Sequence, residues 1–158
     1  MRVFPPLALL FAFCEIGFAA TPALMPWPAK LERLSGELAI DSNFRLAFAR
    51  KPAPRLERAA ARFRERLGAL TGIPLRRGAA ASVGAANLII DCAETSDRPL
   101  DKLGDDESYR LQVNVEQARL TAPTVLGALR GLQTFLQLVT AGPRGHAAAS
   151  VVIEDAPR

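Results

Sequence analysis

Apolar residues recur along this chain in two helical stripes and several short alternating runs, and these rhythms predict its layout. Over about 55–70, Leu56, Ala60, Phe63, Leu67 and Leu70 step by 4, 3, 4 and 3, which builds one stripe along a helix. Gly68 lies inside it near the end, and Gly72 is a natural stop. Over about 124–139, Val125, Leu129, Leu132, Leu136 and Val139 repeat those steps, and Leu126, Phe135 and Leu138 widen the stripe. Thr124, after Pro123, is the expected N-cap. Gly127 and Gly131, four apart, let this second helix approach a neighbour closely, while Arg130 and Gln133 rule it out as a bilayer span.

The strand rhythm fills the gaps. Glu37–Ile40 and Phe44–Phe48 alternate around the turn residues Asp41-Ser42-Asn43, predicting a strand pair. A short strand is expected over Ile73–Arg76, and Asn87–Asp91, a β-branched run with polar bounds, predicts a central strand. Tyr109–Val113 and Ala118–Ala122 alternate with period two and form a hairpin through Asn114–Gln117. After a turn at Gly142–Gly145 comes a last strand, Ser150–Ile153. Residues 21–35, with Pro22, Pro26 and Pro28 around Trp27, read as an extended entry segment. Residues 78–86 read as a flexible, low-complexity surface loop, and 95–107 as a polar loop holding Pro99 and Gly104. Two helices among mainly hairpin-linked strands predict an α+β fold: a two-layer sandwich, mainly antiparallel, with both helices on one sheet face.

Residues 1–20 stand apart. A positive start at Arg2, the apolar stretch Phe4–Phe13 and the small residues Gly17, Ala19 and Ala20 have the layout of a secretory signal peptide. The apolar run is shorter than the ~20 residues that span a bilayer. Cleavage after Ala19 fits best, with Ala20 and Ala23 as alternatives; a buried N-terminal helix is disfavoured by Pro5-Pro6 and Pro22. Phe13 precedes Cys14 where a lipid-anchor signal wants a small residue, so no lipid anchor is expected. The folded domain is then 21–158, exported to a periplasm or the medium, with no membrane contact after processing. Cys92 would be its one thiol, so its core rather than a disulfide must hold it together.

The net charge of +4 survives removal of the leader, because Arg2 and Glu15 cancel. Basic and acidic residues are interspersed, as in Arg62-Phe63-Arg64-Glu65-Arg66, the pattern of a solvated helix face. Nucleic-acid binding would want clustered basic residues with stacking aromatics, and aromatics make up only 6% of the chain.

The stretch Gly127-Ala128-Leu129-Arg130-Gly131-Leu132-Gln133-Thr134-Phe135-Leu136-Gln137-Leu138-Val139 closely resembles the "GALRGLxTFxQLV" helix of family-20 glycoside hydrolases, the β-N-acetylhexosaminidases. Four further matches follow the family's order. Met25–Pro28 resembles its "PxP" entry, Leu70–Leu75 its "TGxPL" helix-to-strand link, Tyr109–Leu111 the strand before the helix, and Val152–Arg158 the "IxDxPRF" junction into the catalytic barrel. The helix and the junction are the specific ones. Together the five cover nearly all of 21–158, and the resemblance implies a small antiparallel sheet carrying two helices.

It also implies an activity lying elsewhere. The family removes terminal N-acetylhexosamines with retention, using the substrate's acetamido oxygen as nucleophile. An Asp-Glu pair in the following (β/α)₈ barrel, typically ~250 residues, orients that group and supplies the general acid/base; the sugar-binding Arg also lies past the junction. Asp105-Asp106-Glu107 contains an adjacent Asp-Glu, but in a polar loop, where a solvated turn is expected. Glu154-Asp155 has the reverse order and belongs to the junction match. His146, the only histidine, is expected in a loop as a surface residue, without a partner set for a triad or a metal. Cys92 is expected to be an inert small side chain, and Asp91 a turn or cap residue. No Gly-rich phosphate loop is present. No catalytic, cofactor-binding or metal residue is therefore assigned, and no cofactor is expected.

Two readings follow. The chain is the accessory N-terminal domain of a hexosaminidase, cut before its barrel and inactive alone, with the glycan reached only through that barrel. Alternatively it is a stand-alone exported module binding glycan or a partner, or a helper domain of another glycosidase. The stop at Pro157-Arg158, one residue before the family's Phe, favours the first.

Overall fold

Packing of the second apolar stripe against the strand runs organises the molecule. The computed structural model describes residues 23–76, 78, 80, 82–97 and 104–156, so the leader at 1–20, Pro99 and Pro157-Arg158 lie outside the described residues. Its elements are β1 (Lys30–Ile40), β2 (Leu46–Phe48), α1 (Pro54–Thr71), β3 (Leu88–Cys92), β4 (Tyr109–Val113), β5 (Ala118–Ala122), α2 (Val125–Leu138), β6 (Val139–Gly142) and β7 (Gly145–Asp155). The strands form one sheet in the order β1-β7-β4-β5-β3-β2, with β6 also on β7. Only the β2–β3 and β3–β5 pairings are parallel. This is the expected α+β sandwich.

Both stripes point inward. Leu56, Ala60, Phe63 and Leu67 of α1 are buried, as are Val125, Leu132, Phe135 and Leu138 of α2. Phe135 lies at the centre, its ring 6.0 Å from Phe44 and 5.7 Å from Phe63 between centroids. Each such side chain contributes about 1.5–3 kcal/mol by leaving water. Leu70 departs from the expected stripe and is half exposed; Thr71 takes the inward position, its hydroxyl donating to Leu67 O at 2.8 Å. Thr124 caps α2 as expected, its Oγ1 accepting from the Gly127 N–H at 3.0 Å.

The glycines of α2 lie against the sheet. A Cβ on Gly127 would stand 2.1 Å from Ser108 O, and one on Gly131 2.2 Å from Leu120 Cδ1. At Gly127 no larger residue fits without moving the helix off the Ser108 backbone, while at Gly131 the Leu120 side chain must give way.

Three expectations are corrected. The segments 37–40 and 44–48 are strands but do not pair with each other; they lie at opposite ends of the sheet. The turn forms, with Phe44 N–H on Asp41 O and Asn43 N–H on Asp41 Oδ1, yet the chain then runs to the far edge. There β2 is covered on both faces, Leu46 in the main core and Ala47 in a second cluster with Ala86 and Ile89, which suits a parallel neighbour. Residues 73–76 form no strand; at the β2 edge Ala80 N–H instead donates to Leu46 O. Finally, β7 is much longer than Ser150–Ile153, and β6 follows α2 directly. The run Ala147-Ala148-Ala149 carries no alternation of its own, and its strand exists because β1 and β6 flank it. The long β1 accommodates its register shift between Arg33 and Glu37 through Gly36, whose φ of 92° favours glycine.

Gly127→Ala should therefore destabilise the domain by about 1–3 kcal/mol through overpacking, although Ala is the better helix former by about 1 kcal/mol. Urea unfolding monitored at constant slope measures it. Gly131→Ala should cost less, because a leucine side chain can turn away and the Ser108 backbone cannot.

Candidate functional site

The polar residues singled out by the sequence are distributed over three places, the first of which also holds Glu94 and Asp97. The first is the β3–β4 loop. Glu94 accepts from the Val125 N–H at 2.8 Å, and Asp97 accepts from the Arg55 N–H at 2.7 Å and from Arg58 at 3.2 Å. Carboxylates thus meet the first turn of both helices, where unpaired N–H groups and the helix dipole favour negative charge. Asp106 accepts from the Ser108 N–H at 2.8 Å, and its backbone oxygen accepts from the Thr124 hydroxyl. The Ser108 hydroxyl and amide hold its carboxyl below the usual range. Glu107 grips Arg130 of α2 with two bonds, at 2.7 and 3.3 Å. The adjacent Asp-Glu is thus more than the solvated turn expected: it ties the loop to α2.

The second place is the sheet face turned away from the helices. Asp91 lies within β3 rather than in a turn, its carboxylate 2.8 Å from Arg50 and 3.6 Å from Arg119. Leu88, Ile90 and Cys92 of β3 face the core, so strand alternation turns Asp91 to the other side. Glu154 stands 2.6 Å from Arg110 and 3.4 Å from Lys30. His146 lies in β7, not in a loop, opposite Ile40 and Ala141. Cys92, by contrast, ends β3 on the core side, buried and outside any disulfide; burial pushes its thiol above the ordinary value.

The third is the end of β7. Tyr109 donates to Asp155 Oδ2 at 3.3 Å, and its hydroxyl lies 2.6 Å from that of Thr134 on α2. Burial, with the neighbouring carboxylate, pushes the Tyr109 pKa up to about 12. Glu94, Asp97 and Asp105 line one small cavity beside the start of α2, and Tyr109, Glu154 and Asp155 line a shallow one with Lys30 and Arg110. Among the described residues no group of three or more His, Cys, Asp or Glu could hold a metal ion, and no helix is long and apolar enough to cross a membrane.

The outer side of the helix layer is different. A cleft of about 260 Å³ runs between α1 and α2, floored by Phe63 and Leu132 and edged by Leu126, Leu129, Arg62 and Arg66. It offers apolar surface with a basic rim and no arrangement for bond-making chemistry.

Residues 21–156 match the family model described as "Glycosyl hydrolase family 20, domain 2". The chain belongs to this family. It is 49% identical over 57 residues to the beta-hexosaminidase subunit alpha of Bos taurus, covering 35% of this chain and 11% of that protein. It is 29% identical over 140 residues to a beta-hexosaminidase of Vibrio furnissii, covering 89% of this chain and 20% of that protein. Among solved structures, the Flavobacterium johnsoniae chitobiase superposes with a TM-score of 0.76 at 32% identity, over 85% of this chain and 21% of that one. The matched part of the chain thus spans 11% to 21% of the length of these relatives. It is the accessory domain 2 of β-hexosaminidases, a domain that normally sits with a catalytic barrel in the same chain.

The family-20 motifs map onto these contacts. The "GALRGL" glycines seat α2 on the sheet, and the junction Asp155 bonds Tyr109. What sequence reasoning missed is the capping role of Glu94 and Asp97: their helices begin more than 25 residues away in the chain, and no local pattern links them.

The raised Tyr109 pKa has a testable consequence. A neutral phenol is favoured in the folded state, so its contribution is complete below pH 10 and is lost as pH rises from 10 towards 12. Ultraviolet titration of this single tyrosine should show a midpoint near 12, and Tyr109→Phe should flatten the fall in melting temperature across that window.

Proposed function

We propose that this chain is the N-terminal accessory domain of an exported β-N-acetylhexosaminidase, and that glycan hydrolysis is carried out by a barrel encoded beyond Arg158. One observation carries the reading: the domain-2 match spans 21–156, nearly all of this chain, while the aligned residues make up only 11% and 20% of the matched relatives. Supporting it, the acidic candidates Glu94, Asp97, Asp106, Glu107, Asp91 and Asp155 hold helices, strands and loops in place.

The partner would cover the helix layer. The opposite sheet face carries the ion pairs of Asp91 and Glu154, which are well served by water. The helix layer keeps Leu126 and Leu129 only partly buried at the cleft, and Leu70 53% exposed, so it is the face that gains from being covered.

The first test is to read the coding DNA past the Arg158 codon and assay both products on a chromogenic N-acetylglucosaminide. An open frame with Phe, an aromatic-Arg-Gly turn and a later Asp-Glu pair, active as the long product and inactive as residues 21–158, is the expected result. A stop codon followed by unrelated sequence would overturn it in favour of a stand-alone module. The isolated domain should also bind a hydrophobic dye that the long product does not; a monomer without dye binding at high concentration would sink the covered-face argument. Amino-terminal sequencing of the exported protein should begin at Ala20.

A further inference from the structure

Asp155 is the last residue of β7, and its carboxylate reaches three elements. Oδ1 accepts from the Ala29 N–H at 3.0 Å, in the segment that leads into β1, and from the Ala156 N–H at 3.0 Å, where the chain leaves β7. Oδ2 accepts from Tyr109 at 3.3 Å, and Tyr109 meets Thr134 of α2 at 2.6 Å. Four residues back along the entering segment, Gln137 of α2 brackets Met25, accepting from its N–H at 2.7 Å and donating to its carbonyl at 3.2 Å. Leu24 is buried in the core beside it, whereas Met25 and Trp27 are largely exposed. Pro28 is buried as well, so apolar anchors at Leu24 and Pro28 alternate with exposed residues, and the backbone of the entering segment is fixed by the bonds at Met25 and Ala29.

We propose that Asp155 is a clasp that joins the entering segment to the leaving strand, so that the two chain ends of the domain move as one body and depart in fixed directions. A charged acceptor shared by two backbone N–H groups makes stronger bonds than a neutral one. Through Tyr109 and Thr134 the same carboxylate is referred to α2, which Gly127 and Gly131 seat on the sheet. The clasp does not depend on what lies beyond either end, so it stands or falls apart from the enzymatic reading.

Amide hydrogen exchange by NMR on residues 21–158 tests it. Asp155→Ala should speed exchange at Ala29 and Ala156 by about tenfold or more, the order expected for losing a bond to a charged group, while Leu120 in β5 keeps its protection. Asp155→Asn, which keeps one acceptor oxygen, should fall between, and it serves if the alanine variant does not fold. Gln137→Ala should release Met25 and leave Ala29 protected. Unchanged exchange at Ala29 in both Asp155 variants, equal acceleration at Leu120, or release of Ala29 by Gln137→Ala would each overturn the clasp.

Discussion

The approach of α2 to the middle of the sheet is the contact on which the other layers depend. Two glycines place the helix backbone where Ser108 O and the Leu120 side chain leave no room for a Cβ. With the helix so close, Phe135 reaches the centre and meets Phe44 and Phe63 from the segment before β2 and from α1. Holding a helix this near a sheet sacrifices helix propensity, since glycine is a poor helix former, and recovers more in buried contact.

The β3–β4 loop then secures what the core has positioned. Neither helix carries an acid positioned as its own N-terminal cap; α1 begins after Ala53 with no side-chain cap. Glu94 and Asp97 supply the missing carboxylates from a shared loop, while Asp106 and Glu107 bind Thr124 and Arg130. The acids that looked most like candidate chemistry are therefore the scaffold's fasteners. The chain belongs to the family-20 hydrolases as their domain 2, and in it these carboxylates hold the loop, both helices and the sheet together.

The two faces of the sandwich have different characters for the same reason. Strand alternation sends Arg110, Arg119 and Asp91 to the open face, where charges in pairs of small net worth remain hydrated. The helices turn their second-best apolar positions outward, leaving half-buried leucines beside an arginine rim. This asymmetry gives the domain one surface suited to water and another suited to a neighbour.

Sequence alone determined the elements whose stabilising contacts repeat with their own period: both helices to within a residue or two, the β4–β5 hairpin, the Thr124 cap and the close seat of Gly127 and Gly131. Family motifs carried the identity for a similar reason, since those residues serve local geometry that few alternatives satisfy. Only the tertiary structure decided that β1 and β2 part to opposite edges, that an alanine run becomes part of the long strand β7, that His146 lies in a strand, and that Glu94 and Asp97 cap helices distant in sequence. In each of these the deciding partner comes from another part of the chain, and a backbone or carboxylate bond to a distant residue leaves no periodic trace in the residues that make it.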